Sequence, residues 1–173
     1  MIRHVVLLGL MGAGKTTVGR GLAASLGWAL RDSDADLGAA TGRSARQLDV
    51  ERGTAELHRL EAAHLSDTLA APGPSVVCAA ASVIDDPAAR SALDGPGLLL
   101  VWLRAEPATL ARRTRRAGHR RDLGPDRTAG LAGQAAARYP LLEALRPLIV
   151  AVDDREPSEV VTTILAHLAA AGR

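Results

Sequence analysis

Residues Gly9 to Thr17, GLMGAGKTT, constrain this chain more than any other stretch. Their spacing is Gly9-x4-Gly14-Lys15-Thr16. An apolar run, His4-Val5-Val6-Leu7-Leu8, comes before them and reads as a buried strand. A helical pattern carrying Val18, Leu22 and Leu26 comes after. A strand that turns through glycines into a helix start is a phosphate-binding loop. Successive backbone N–H groups curl around phosphate oxygens, and the helix start adds the positive end of its dipole. In such a loop the lysine reaches the β- and γ-phosphates and the next hydroxyl ligates Mg²⁺. Gly12, Ala13, Gly14, Lys15, Thr16 and Thr17 are therefore the expected nucleotide-binding residues. Lys15 is the only lysine in the chain, and every other member of the 21 Lys+Arg is arginine. A surface cation can drift to arginine, but a compact ammonium among phosphates cannot be replaced by a planar fork.

The bulk numbers exclude several classes. At 173 residues one domain, 1–173, is expected, and it is long enough for a real core. Aromatic content is 2% with no Phe, so that core must be built from Leu, Val, Ile and Ala. A net charge of +2 is too small to imply nucleic-acid binding. Cys78 is alone, which forbids an intrachain disulfide and points to a reducing, cytoplasmic compartment. The apolar start is short and leads straight into the phosphate loop, against a signal peptide. No stretch is long enough to span a membrane.

Strands alternate with helices along the chain. Strands are expected near Arg3–Leu8, Trp28–Arg31, Ser75–Ala79, Leu98–Leu103 and Leu148–Val152. Helices are expected over Lys15–Leu26, Gly53–Leu69 and Pro157–Leu168, among others between the strands. Such alternation argues an α/β fold: a five-stranded parallel sheet with helices on both faces.

In such sheets ligands bind outside the carboxyl ends of the strands. The second strand ends at Arg31-Asp32-Ser33-Asp34. If that segment stays extended, Asp32 and Asp34 point to one side. Two carboxylates beside a phosphate loop suit a Mg²⁺ partner and a group that receives a substrate hydroxyl, with capping of the next helix by Asp34 as the plainer alternative. Asp153 and Asp154 follow a good strand but lead into the last helix, and Ile84-Asp85-Asp86 runs into Pro87, a helix start. The densest charge lies from Arg112 to Arg127. It contains Gly118, Gly124 and Pro125, as a hinged flap would, and arginine suits the gripping of phosphoryl oxygens.

On these motifs the chain resembles the shikimate kinases, over nearly its whole length. GLMGAGKTTVGRGLAASLG is similar to that family's loop and first helix. Asp32-Ser33-Asp34 falls where the family has Asp-x-Asp. Thr41-Gly42-Arg43-Ser44, Glu61, the arginine lid, Arg138-Tyr139-Pro140-Leu141-Leu142 and Arg155-Glu156-Pro157 also resemble family segments. The resemblance implies a P-loop kinase fold with an acceptor-binding subdomain (about 33–62) and a lid (about 114–127). It implies ATP and Mg²⁺, with Lys15, Asp34 and Arg120 (or Arg121) as the catalytic groups. Thr16 and Asp32 would hold Mg²⁺. Arg113, Arg155 and Pro157 would frame adenine. Asp34, His58, Glu61, Ala80 and Arg138 would line the acceptor, with Arg138 on an acceptor carboxylate. A monomer acting on a small hydroxyl compound is expected, with no nucleic-acid or membrane partner.

The departures from the family cluster at the acceptor. His58 stands for an arginine, Leu57 for a phenylalanine, Asp49 for a wall residue and Ala79-Ala80-Ala81 for Gly-Gly-Gly. In the lid, Arg120-Arg121-Asp122 stands for Arg-Pro-Leu. Imidazole lacks the five-donor fork, and one lost charge-assisted bond to a carboxylate costs about 1.5–3 kcal/mol. The alanines cost about 1–2 kcal/mol more wherever a glycine had positive φ. Asp49, facing the pocket, would repel a carboxylate.

Two functions compete on these grounds. One is a small-molecule kinase that moves the γ-phosphoryl of Mg·ATP to shikimate or to a related cyclitol, polyol or hydroxy acid. The other is an ATP-binding regulatory protein of the same fold without acceptor kinase activity. A guanine-specific GTPase is disfavoured, because the Asn-Lys-x-Asp motif such proteins usually carry needs a second lysine. A nucleoside monophosphate kinase remains open, though scarce aromatics give little support to a second base site.

Overall fold

The computed structural model describes residues 1–114 and 126–171. Five strands form one sheet: β1 His4–Leu8, β2 Ala29–Asp32, β3 Ser75–Cys78, β4 Leu98–Arg104 and β5 Leu148–Ala151. Their order is β2-β3-β1-β4-β5, and every pair is parallel. Among the described residues the helices are α1 Lys15–Leu26, α2 Ser33–Thr41, α3 Ala45–Arg52, α4 Thr54–Ala70, α5 Pro87–Leu93, α6 Pro107–Thr114, α7 Arg127–Ala144 and α8 Pro157–Ala171. A 3-10 turn, Ala81–Asp85, follows β3. The expected strand and helix boundaries agree with these to within a few residues.

Period-two alternation in β1 and β4 divides the core. Val5, Leu7, Val101 and Leu103 face one layer, where Val18 and Leu22 of α1 meet Val160 and Ile164 of α8. Val6, Leu8, Leu100 and Trp102 face the other, where Leu65 of α4, Leu93 of α5 and Leu142 of α7 close over them. Both faces are covered, which is why these strands read as continuous apolar runs. The central position of β1 puts the loop that follows it at the sheet's midline.

Helix α4 shows how composition alone misleads. Its leucine spacing predicts a stripe of Leu57, Leu60, Leu65 and Leu69. The buried face is Leu57, Glu61, Leu65 and Thr68. Its period is helical, but one of its members is a carboxylic acid, and that acid belongs to the site described below.

Trp102, fully buried, meets Tyr139 edge to face at 4.8 Å between ring centroids. The Tyr139 hydroxyl donates to the Ala105 carbonyl at 2.6 Å, which ties α7 to the end of β4. Arg138 sits one residue before this anchor.

Helix α1 lies tight against β3 at Gly19. A Cβ there would run into Cys78 Sγ and lie 3.2 Å from Leu30 Cδ1. Gly19→Ala should therefore destabilise the fold by about 1–3 kcal/mol despite its better helix propensity. In the double variant with Cys78→Ala most of that loss should be recovered. Urea unfolding of the four proteins of this cycle checks it, and simple additivity would count against the contact.

Candidate active site

The loop between β1 and α1 is shaped by glycines at left-handed angles. Gly12 has φ +87°, and a Cβ there would lie 2.8 Å from Thr114 Cγ2 and 3.0 Å from the Leu110 carbonyl oxygen. Gly14, at φ +93°, caps α1. Lys15 Nζ lies over the loop and donates to the carbonyls of Gly9 (2.6 Å) and Leu10 (3.2 Å). Gly12, Gly14, Lys15, Thr16 and Thr17 line the cavity, while Ala13 is buried beneath them.

At the end of β2 the chain does not stay extended. Helix α2 begins at Ser33, so the alternation expected for Asp32 and Asp34 stops at Asp32. Asp32, not Asp34, is the helix cap. Its Oδ1 accepts from the N–H groups of Asp34 (3.1 Å) and Ala35 (3.3 Å). Its Oδ2 accepts from Thr16 Oγ1 at 2.7 Å. Asp34, in the first turn of α2, still reaches the same cavity.

The far end of the cavity is lined by Asp34, His58, Glu61, Ala80 and Arg138, with Ser82 and Gln134, which the sequence did not single out. Glu61 is 7% exposed and accepts a hydrogen bond from Ser82 Oγ. Burial pushes its carboxyl up to about 7, and the negative charge of Asp34 adds to this; the Ser82 bond and the cations Arg138 and Lys15 oppose it. Arg138 is held by Asp85, on the 3-10 turn: Nε lies 3.0 Å from both carboxylate oxygens and Nη2 2.5 Å from Oδ2. Asp85 is 53 residues away in sequence, so no local pattern announced it.

Two expectations change, those for the alanines and for Asp49. Ala80 has φ −61°, and Arg146 is the one described non-glycine residue with positive φ, so Ala79-Ala80-Ala81 carry no backbone strain. Asp49 does not line the cavity; its Oδ1 accepts from Thr54 Oγ1 at 2.6 Å, across the turn from α3 to α4. Asp153 is structural, accepting from the Glu106 N–H at 2.9 Å.

Arg113 Nη2 donates to the carbonyls of Val152 (2.7 Å) and Asp153 (3.1 Å), which brings α6 to the loop that carries Arg155. Arg155 folds back on α8, donating to Thr163 Oγ1 at 2.6 Å, and Pro157 opens that helix. Arg120 and Arg121 lie outside the described residues.

A family model, "Shikimate kinase", matches residues 11–169. The chain belongs to the shikimate kinase family. A shikimate kinase of Symbiobacterium thermophilum is 36% identical, over 95% of this chain and 95% of that one. One from Mycobacterium marinum is 34% identical, over 97% of this chain and 90% of its own. In structure, a shikimate kinase from Acinetobacter baumannii in complex with shikimate superposes with a TM-score of 0.91 at 24% identity, covering 98% of this chain and 94% of that one. The protein is an ATP-dependent phosphotransferase of the shikimate-kinase kind, with an alcohol group as acceptor. No helix among the described residues is long and apolar enough to cross a membrane.

Glu61 sets a pH dependence with a definite sign. Unfolded, the carboxyl ionises near its ordinary 4.5; folded, it does so at about 7. Between those values the folded state keeps a proton that the unfolded chain has lost. Stability therefore falls as pH rises through that window, and the loss is complete above it. Glu61→Gln keeps an acceptor for Ser82 and removes the titration. The Tm of the variant relative to the parent should rise between pH 5 and pH 8; a constant difference would show that Glu61 does not titrate there.

Proposed function

We propose that this chain transfers the γ-phosphoryl group of Mg·ATP to a hydroxyl of a small polyhydroxy acceptor, either shikimate or a related cyclitol, polyol or hydroxy acid. The observation that carries this reading is the double role of Asp32. One oxygen takes the Thr16 hydroxyl at 2.7 Å, and the other caps the helix that presents Asp34 to the same cavity. Phosphate loop, metal-side carboxylate and acceptor-side carboxylate are thereby joined in one rigid unit.

Thr16 and Asp32 fit Mg²⁺ well. The ion takes one or two protein oxygens and completes its shell with phosphates and water. Among the described residues no group of three or more His, Cys, Asp or Glu offers a denser site. Bound there, Mg²⁺ would neutralise charge on the phosphate oxygens.

Lys15 holds the β/γ-phosphates, and Asp34 orients the acceptor hydroxyl. In the transfer, that hydroxyl oxygen bonds to the γ-phosphorus as the bond to the β–γ bridging oxygen breaks. ADP leaves, and the hydroxyl proton passes to Asp34 or to solvent. The protein forms no bond of its own, so its contribution is positioning and charge neutralisation. Arg113, Arg155 and Pro157 frame adenine, and Arg120 (or Arg121) reaches the transferring phosphate from a lid over about 114–127. His58, Glu61, Ala80 and Arg138 contact the acceptor, with residues 33–62 as its binding unit. The reading extends to a cytoplasmic monomer without nucleic-acid or membrane partners; the free, buried Cys78 and the net charge of +2 support it.

ADP release from Mg·ATP, measured without acceptor and with shikimate, cyclitols, polyols and hydroxy acids, tests this directly. At least one acceptor should stimulate turnover, and Lys15→Ala should abolish the stimulation. Asp34→Asn should lower kcat roughly 100-fold or more while leaving the Tm nearly unchanged. ATP binding without stimulation by any acceptor would instead favour the regulatory protein.

A further inference from the structure

The acceptor end of the cavity contains one guanidinium among the described residues, Arg138, and its charge is already matched. Asp85 takes the side-on edge of the fork: Nε lies 3.0 Å from Oδ1 and 3.0 Å from Oδ2, and Nη2 lies 2.5 Å from Oδ2. Nη1 donates to Gln134 Oε1 at 3.2 Å. The side chains are 11% and 41% exposed, so the pair is shielded on the arginine side and wet on the aspartate side. The other cation on the cavity wall, Lys15, is at the phosphate end, where its ammonium meets the carbonyls of Gly9 and Leu10.

Around Arg138 stand two carboxyl groups and the imidazole of His58. Asp34 and Glu61 line the same space, and Glu61 gains negative charge as the pH passes its raised value of about 7. A carboxylate entering here would compete with Asp85 for the fork and sit beside two further acids. A hydroxyl group faces neither penalty. It accepts from the N–H groups that Arg138 has left and donates to Glu61 or Asp34.

We infer that Asp85 determines acceptor specificity by neutralising Arg138, and that the acceptor is an uncharged polyhydroxy compound rather than a carboxylate. The inference rests on the kinase reading and narrows its acceptor class. Asp85 acts through Arg138 and is a positioning residue. Its place is set by the backbone: it ends the 3-10 turn, while Asp86 caps α5 by accepting from the Ala89 N–H at 2.8 Å.

A matched pair of probes isolates the charge: shikimate and its methyl ester, which share a ring and three hydroxyls. Binding is measured by calorimetry with Mg·ADP present, so it is read without turnover. The parent protein should bind the ester at least as tightly as the acid. Asp85→Asn keeps the side-chain shape and removes the charge. It should tighten shikimate on the order of tenfold and leave the ester within about twofold. Parent protein that binds the acid much more tightly than the ester overturns the proposal. So does an Asp85→Asn variant that weakens both compounds alike, as a purely structural role would, and so does failure of both compounds to bind the parent. If the variant does not fold, the parent's preference within the pair still decides. Acceptor-stimulated ADP release is measured alongside. Its absence strikes the kinase reading, whereas the binding preference strikes only this inference.

Discussion

The hydrogen bond from Thr16 to Asp32 holds the two halves of the site together. Thr16 belongs to the first turn of α1 and Asp32 to the last position of β2. Strands β1 and β2 are not neighbours: β3 lies between them. The bond therefore spans the mouth of the sheet and sets the distance between the phosphate loop and α2. The same carboxylate satisfies two N–H groups at the start of α2, groups that would otherwise be orphaned. Loss of this one carboxylate would loosen the helix cap and its link to Thr16 together.

The far end of the cavity is built on a different principle. A carboxyl buried on α4 is accommodated by a serine hydroxyl from the 3-10 turn and by its own raised proton affinity. An arginine on α7 is accommodated by an aspartate from that same turn. The turn Ala81–Asp85 thus supplies a partner to each of two helices. Ala80, which leads into it, has an ordinary backbone angle, so the added methyl groups narrow the wall without straining it. Arg138 is matched by Asp85 and Glu61 by a serine hydroxyl, so each of these two buried groups has a partner.

Much of the fold is legible in the sequence. The five strands and the first and last helices fall where periodicity places them, because each is a local pattern with a local signal. The family is legible for the same reason: its motifs are short and keep their internal spacing. The site is legible in part. Lys15, Thr16, Asp32 and Asp34 follow from the loop and the strand end, but of the two arrangements open for Asp32-Ser33-Asp34 the helix cap is the one formed, with Asp32 rather than Asp34 as the capping residue. Aspartate before a run of helix formers is a cap, and the helix start takes precedence over the strand's alternation. Asp49 falls away from the pocket because its helix face is set only once α3 packs on α4. Asp85 reads in the sequence only as the lead into a helix start, and nothing local links it to an arginine on α7.

By itself the sequence determined what can be specified within one or two turns of chain. It set a strand, a glycine loop and a helix that bind phosphate, and the alternation that makes a parallel sheet. The tertiary structure alone decided the strand order, the burial of Glu61 and the pairing of Arg138 with Asp85. Charge balance in a cavity depends on which side chains meet there, and Arg138 and Asp85 meet from 53 residues apart. No local spacing encodes such a meeting, because only the packed sheet and its helices bring the groups within reach.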